Sequence, residues 1–219
     1  MVLLNKDAYQ ETREITLGHK KKSQILIEFS DWLKDDYDIE VLNFEFGKMI
    51  RPDKNYRLCI IVATEEDNRK MLEAPFKINT AYQQQIGEKF KELNRKYRYT
   101  DESNLMDLFV TFIDFSHEAK TLANWAAIKK ARKMIMDKYD SVWDVHAQFE
   151  RSVVFYYFDH QIKENEKTGT NDRITDEYYQ ILKECDEFDY FQPDSFLVKF
   201  DSKENLDNNY EGNLFYYDR

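Results

Sequence analysis

Glycine and proline are scarce: the 219 residues include 5 Gly and 3 Pro, where average usage of about 12% would supply roughly 26. Such scarcity argues against glycine-rich phosphate loops and against the turn-dense chemistry of a β-sandwich. Cysteine is limited to Cys59 and Cys185, too few for a disulfide framework and without zinc-ligand spacing. Cys59 lies within Leu58-Cys59-Ile60-Ile61-Val62 and Cys185 on the apolar stripe of a late helix, so both read as small buried hydrophobes. Long apolar runs are missing too. Met1-Val2-Leu3-Leu4 is shorter than a signal-peptide core, and nothing approaches the roughly 18 apolar residues of a membrane-spanning helix. The expected location is a reducing cytoplasm, with no membrane contact. No nucleophile elbow, Walker loop or dinucleotide fingerprint occurs, and no cofactor or metal is called for. Oligomeric state is left open.

Aromatic and acidic residues are abundant. The 34 aromatics (3 Trp, 15 Tyr and 16 Phe) are incompatible with global disorder. Against 32 Lys and Arg stand 42 Asp and Glu, a net charge of -10, which repels phosphate backbones at long range and disfavours nucleic acid as a partner.

Apolar periodicity outlines the elements. Ile25, Leu26, Phe29, Trp32 and Leu33 share one face of a helix from about residue 20 to 36. Leu42, Phe44 and Phe46 then alternate with polar residues, and after Pro52-Asp53-Lys54-Asn55 a second strand runs from Tyr56 to Thr64, giving a hairpin. Thr80 and Gln83 fit a capping box opening a helix with stripe Tyr82, Ile86, Phe90, Leu93 and Tyr97. A strand over 105–115 follows, and Ser116 caps a third helix carrying Leu122, Trp125, Ala126, Ile128 and Ile135 to near Tyr139. Residues 142–149 and 152–162 read as strands, with a helix over 142–149 as the alternative. A polar loop over 163–173, a helix over 175–189 and a strand over 196–201 come next. Val2-Leu3-Leu4 suggests an edge strand, Thr16-Leu17-Gly18 a turn, and Leu214-Phe215-Tyr216-Tyr217 a terminal strand.

The expected fold is therefore α+β: two αββαβ units of ferredoxin-like order with mainly antiparallel sheet, residues 1–116 and 117–219, forming two domains or one compact domain. Local matches suggest an internal duplication. Asp35-Asp36-Tyr37-Asp38 echoes Asp137-Lys138-Tyr139-Asp140; Ile78, Tyr82 and Gln84 echo Ile174, Tyr178 and Gln180; Phe112-Ile113-Asp114-Phe115-Ser116 resembles Phe200-Asp201-Ser202 with a gap.

Four constellations could carry function. His117-Glu118, after a strand and at a helix start, is the candidate for an enzyme, although no nucleophile or second carboxylate can be placed beside it. Lys20-Lys21-Lys22 and the Lys129 to Lys133 cluster could contact nucleic acid or a nucleotide if they lie on equivalent helices, yet Trp32 and Trp125 fall on apolar stripes rather than between the basic residues. Asp207 to Gly212 imitates a calcium loop but lacks the closing Glu.

The fourth concerns acids at helix ends. Helix C-termini carry partial negative charge and ordinarily attract Lys or Arg, as Arg95 and Lys96 illustrate. Asp35, Asp36 and Asp38, then Asp137 and Asp140, then Glu184, Asp186, Glu187 and Asp189 reverse this rule. Either they form turns, or they serve function where local rules are broken. The leading expectation is a non-catalytic inhibitor or adaptor that engages a basic protein partner through Asp35, Asp36, Asp38, Asp137 and Asp140.

Overall fold

The computed structural model describes residues 4–49, 56–75, 77–193 and 196–218. The chain is α+β and divides into two compact units between Glu118 and Ala119. The expected strand at Val2-Leu3-Leu4, apart from Leu4, and the turn at Pro52 to Asn55 lie outside the described residues.

The first unit opens with helices α1 (Lys6–Thr16) and α2 (Gln24–Tyr37), followed by strands β1 (Val41–Lys48) and β2 (Tyr56–Val62). A short helix α3 (Glu65–Lys70), a small hairpin of β3 (Leu72–Ala74) and β4 (Lys77–Ile78), helix α4 (Thr80–Tyr97) and strand β5 (Leu108–Asp114) complete it. β1 pairs antiparallel with β2, as expected for the hairpin, while β5 adds to β2 in parallel, so the order is β1-β2-β5. β2 is buried on both faces. Leu58, Ile60 and Val62 pack with Phe29, Leu33, Phe44, Ile86 and Phe90, while Cys59 and Ile61 are buried on the other face.

The second unit contains most of helix α5 (Phe115–Lys138), then β6 (Val142–Gln148), β7 (Arg151–Tyr156), α6 (Asp159–Lys167), α7 (Thr170–Lys183), β8 (Val198–Ser202), α8 (Lys203–Tyr210) and the single turn α9 (Leu214–Tyr217). β6 pairs antiparallel with β7, and β8 joins β7 in parallel. On one face Val145, Val154 and Tyr156 pack with α5 and α7; on the other Val153 and Phe155 pack with Leu206, Trp143, Tyr210, Leu214 and Tyr217.

The pairing pattern thus recurs: helix, antiparallel hairpin, intervening helices, and a strand parallel to the second hairpin strand. Both hairpins shift register near the start of the first strand, at Val41/Asn43 and at Val142/Asp144. At each shift a side chain accepts the next backbone N–H, Asn43 from Phe44 at 2.8 Å and Asp144 from Val145 at 2.7 Å. Residues 105–201, however, do not join as one βαββαβ sheet, since β5 belongs to the first sheet and β8 to the second.

Several local expectations need correction. Asn79, not Thr80, caps α4 by accepting from Ala81 and Tyr82 N–H. Asp114, not Ser116, opens α5: its Oδ1 accepts from Ser116 N–H and Oγ at 2.8 Å and from His117 N–H at 3.3 Å. Residues 142–149 carry a strand rather than a helix. Residues 158–173 contain helices where a strand end and a loop were expected; Gln161 accepts the Phe158 N–H, and Gly169 at φ +68° separates α6 from α7. The terminal strand is α9, started by Asn213 accepting from Phe215 N–H. Likewise Asp207 sits inside α8, paired with Lys203, so the apparent calcium loop is a helix end. The match of Ile78 and Tyr82 with Ile174 and Tyr178 does not superimpose either, because Ile78 is in β4 and Ile174 within α7.

Candidate functional site

The most distinctive surface lies in the second unit, on α5. Ala119, Ala123, Ala127, Ala131 and Ile135 recur every four residues and are all buried, so the helix turns its smallest side chains toward the core and can sit close to the sheet. Trp125, Ile128, Lys129, Arg132 and Met136, spaced by three and four, form a second stripe. With Lys133, with Asp144 to Ala147 of β6 and with Leu214, that stripe lines an open groove of about 680 Å³. Trp125 is 43% exposed.

Ion pairs shape the groove. Arg132 Nε donates to Asp144 Oδ1 at 2.5 Å, and that same oxygen accepts the Val145 N–H. β6 is an edge strand, and the Asp144 carboxylate closes its edge at the register shift. His146 Nε2 lies 3.0 Å from Asp218 Oδ2. Lys130 turns to Glu184. Among the described residues Lys129, Lys133 and Asp137 have no ion-pair partner, so the rim offers two uncommitted cations a turn apart and one anion.

The five expected acidic residues divide between the units. Asp38 ends α2 at φ +53°, held by Lys34 at 2.7 Å and Lys70 at 3.1 Å, whose hydrogen bonds keep its carboxyl below the usual range. Its place is that of a left-handed helix cap. Asp35 and Asp36 are exposed in the last turn of α2, without ion pairs among the described residues. Asp137 is on the rim of the groove, and Asp140 is exposed in the turn before β6. At the end of α7, Asp186 is a turn former: its carboxylate accepts from Tyr190 and Phe191 N–H and pairs with Lys183.

The two lysine clusters are not equivalent. Lys20 to Lys22 precede α2, with Lys20 paired to Glu11 and Lys22 Nζ donating to the Val41 carbonyl at 2.7 Å; burial lowers the Lys22 pKa against the pull of Glu40 and Asp31. Lys129 to Lys133 sit mid-helix on α5 beside Trp125, which is exposed rather than on the buried stripe. The sequence carried a signal for this. The four-residue alanine spacing marks the core side of α5, and it leaves Trp125 on the other.

At the head of α5, His117 is half-buried, and Glu118 is buried with its carboxyl pushed up by burial while accepting the Leu4 N–H. Burial likewise raises Asp114, against hydrogen bonds from Ser116 and His117. These carboxylates tie backbone together. Among the described residues no group of three or more His, Cys, Asp or Glu side chains is placed to hold a metal ion, and no helix is long and apolar enough to cross a membrane. Comparison with protein-family models, curated proteins and solved structures finds no match for this chain.

Proposed function

We propose that the chain acts by binding another protein, as an inhibitor or adaptor, and that the groove on the second unit is its docking surface. The observation that carries this reading is the second stripe of α5. Alanines make the buried side of α5, half-buried Ile128 and Met136 border the core beside them, and Trp125 is left 43% exposed with no core to fill. Aromatic residues, Met and Arg are the types enriched in the centres of protein interfaces. A reducing cytoplasm suits the two free cysteines.

A photo-crosslinking amino acid placed at Ile128, compared with one at exposed Lys21, tests this in extract of the source cell. The expected result is a discrete adduct from position 128 alone that Trp125→Glu removes. Equal labelling from both positions counts against the groove.

A second reading, in which exposed acids on each unit separately attract a basic partner, has a specific observation in its favour. Asp35, Asp36 and Asp140 are exposed acids without ion pairs among the described residues, at helix ends where they oppose the backbone dipole. They would steer a basic partner, and their replacement by Asn would then slow association without changing the fold.

A further inference from the structure

We infer that the occupant of the α5 groove is an amphipathic helix bearing acidic side chains beside its apolar stripe, an inference that rests on the docking reading above. Three features select it. The first is the register shift on the edge of β6: Asp144 holds the Val145 N–H and is itself held by Arg132, so a strand pairing at that point would have to break both bonds. Second, Trp125, Ile128, Arg132 and Met136 follow helical spacing along one side of α5. The stripe spans about three turns, roughly 16 Å, and ridges with this spacing accept the i, i+3, i+4, i+7 residues of a second helix.

Charge is the third. Lys129 and Lys133 stand one turn apart on the rim with no ion-pair partner among the described residues, and Asp137 follows one turn later. Two acids at matching spacing on the incoming helix would meet the lysines. A second copy of the chain fits poorly, because a two-fold pairing about the middle of the stripe sets the Lys129 to Lys133 segment against its own equivalent, cation to cation.

The test titrates the full chain with fluorescent designed probes. One is a lactam-bridged helix of about four turns with Leu at i, i+3, i+4 and i+7 and Glu on either side. Its companions are a scrambled peptide, a copy with Lys in place of Glu, and a single-stranded oligouridylate. The Glu-bearing helix is expected to bind at least about tenfold more tightly than the scrambled and Lys-bearing peptides. The double variant Lys129→Glu with Lys133→Glu, both exposed, should weaken it by about tenfold, since two rim pairs each turn from attraction to repulsion, and should shift preference to the Lys-bearing helix. Circular dichroism confirms that the variant is folded. Equal binding of the Glu-bearing and scrambled peptides, indifference to the charge reversal, or tighter binding of the oligouridylate would each overturn the proposal. If the adduct from position 128 persists in any of these cases, the groove stands and the acidic helix is wrong; if the adduct is lost as well, both fall.

Discussion

The two units reach the same sheet pattern with different interiors. In the first, Phe29, Phe44, Phe46 and Phe90 form a chain of ring contacts that ends on exposed Tyr99, at centroid distances of 5.3 to 6.2 Å. In the second, a polar network lies under α5: Tyr178 Oη donates to Asn124 Oδ1 at 2.6 Å, Ser152 Oγ to Tyr178 Oη at 2.8 Å, and Asn124 Nδ2 to the carbonyls of Phe149 and Arg151 at 2.8 Å. All three residues are fully buried, and burial pushes the Tyr178 hydroxyl up to about 12. Strand pairing tolerates either interior, because the ladder needs only backbone and a buried face, whereas helix approach depends on side-chain size. The alanines of α5 pack on the second core, and the Asn124 amide ties the helix to the β6–β7 turn.

Removing a ring should give the largest effect. Phe90→Ala in the first core is expected to cost about 3–5 kcal/mol, read by denaturant unfolding, with amide protection lost in the first unit and kept in the second. Loss of protection in both together would show that the units fold as one. Asn124→Ala should cost about 2–4 kcal/mol, since it strands two carbonyls and two hydroxyls in the second core. In combination with Tyr178→Phe the costs should be far from additive, which a double-mutant cycle would show.

Next in size is a pH effect of opposite sign in the two units. Asp114, at the end of β5, has its carboxyl raised by burial. Asp201, near the end of β8, is buried too, but hydrogen bonds from Tyr217, Ser202, Asn205 and Lys199 outweigh desolvation and hold its carboxyl low. A raised carboxyl favours the fold below its unfolded pKa and loses that contribution as pH rises through the folded value; a lowered one contributes above its unfolded pKa and loses this as pH falls. Asp114→Asn, which retains a cap oxygen, should therefore gain on the parent as pH rises through and above the ordinary carboxylate range. Asp201→Asn should lose ground on the parent as pH rises from below into the ordinary carboxylate range. Unfolding free energies measured across that range check both, and slopes of the same sign would refute the contrast. The smallest effect belongs to Asp35→Asn and Asp36→Asn, which should raise the melting temperature slightly at low salt and not at high salt, by relieving repulsion from the end of α2.

Long, strongly patterned elements were legible: α2, the β1–β2 hairpin, α4 and α7 follow from three-and-four or alternating apolar residues. α1 was not, because Lys6 to Thr16 is mostly polar and buries little beyond Ala8 and Thr12. The helix over 159–167 was hidden for the same reason; it has no fully buried residue. Caps were misplaced by one or two positions because Asn79 and Thr80, or Asp114 and Ser116, are both good cap residues and only the backbone decides between them. Among the acids, Asp38 and Asp186 resolve into helix-end and turn roles, which required seeing Lys70 and the Tyr190 amide come to them.

By itself the sequence determined that this is an α+β protein with its apolar residues in helical and strand periods, because burial of a periodic face depends on spacing alone. Tertiary structure decided the rest. It paired β5 and β8 in parallel with the second strands of their own hairpins, sent the alanine side of α5 inward, and thereby exposed Trp125 beside Lys129 and Lys133. Both outcomes turn on distant surfaces competing for the same neighbour, so the alanine spacing marks which side of α5 is buried but not what it is buried against.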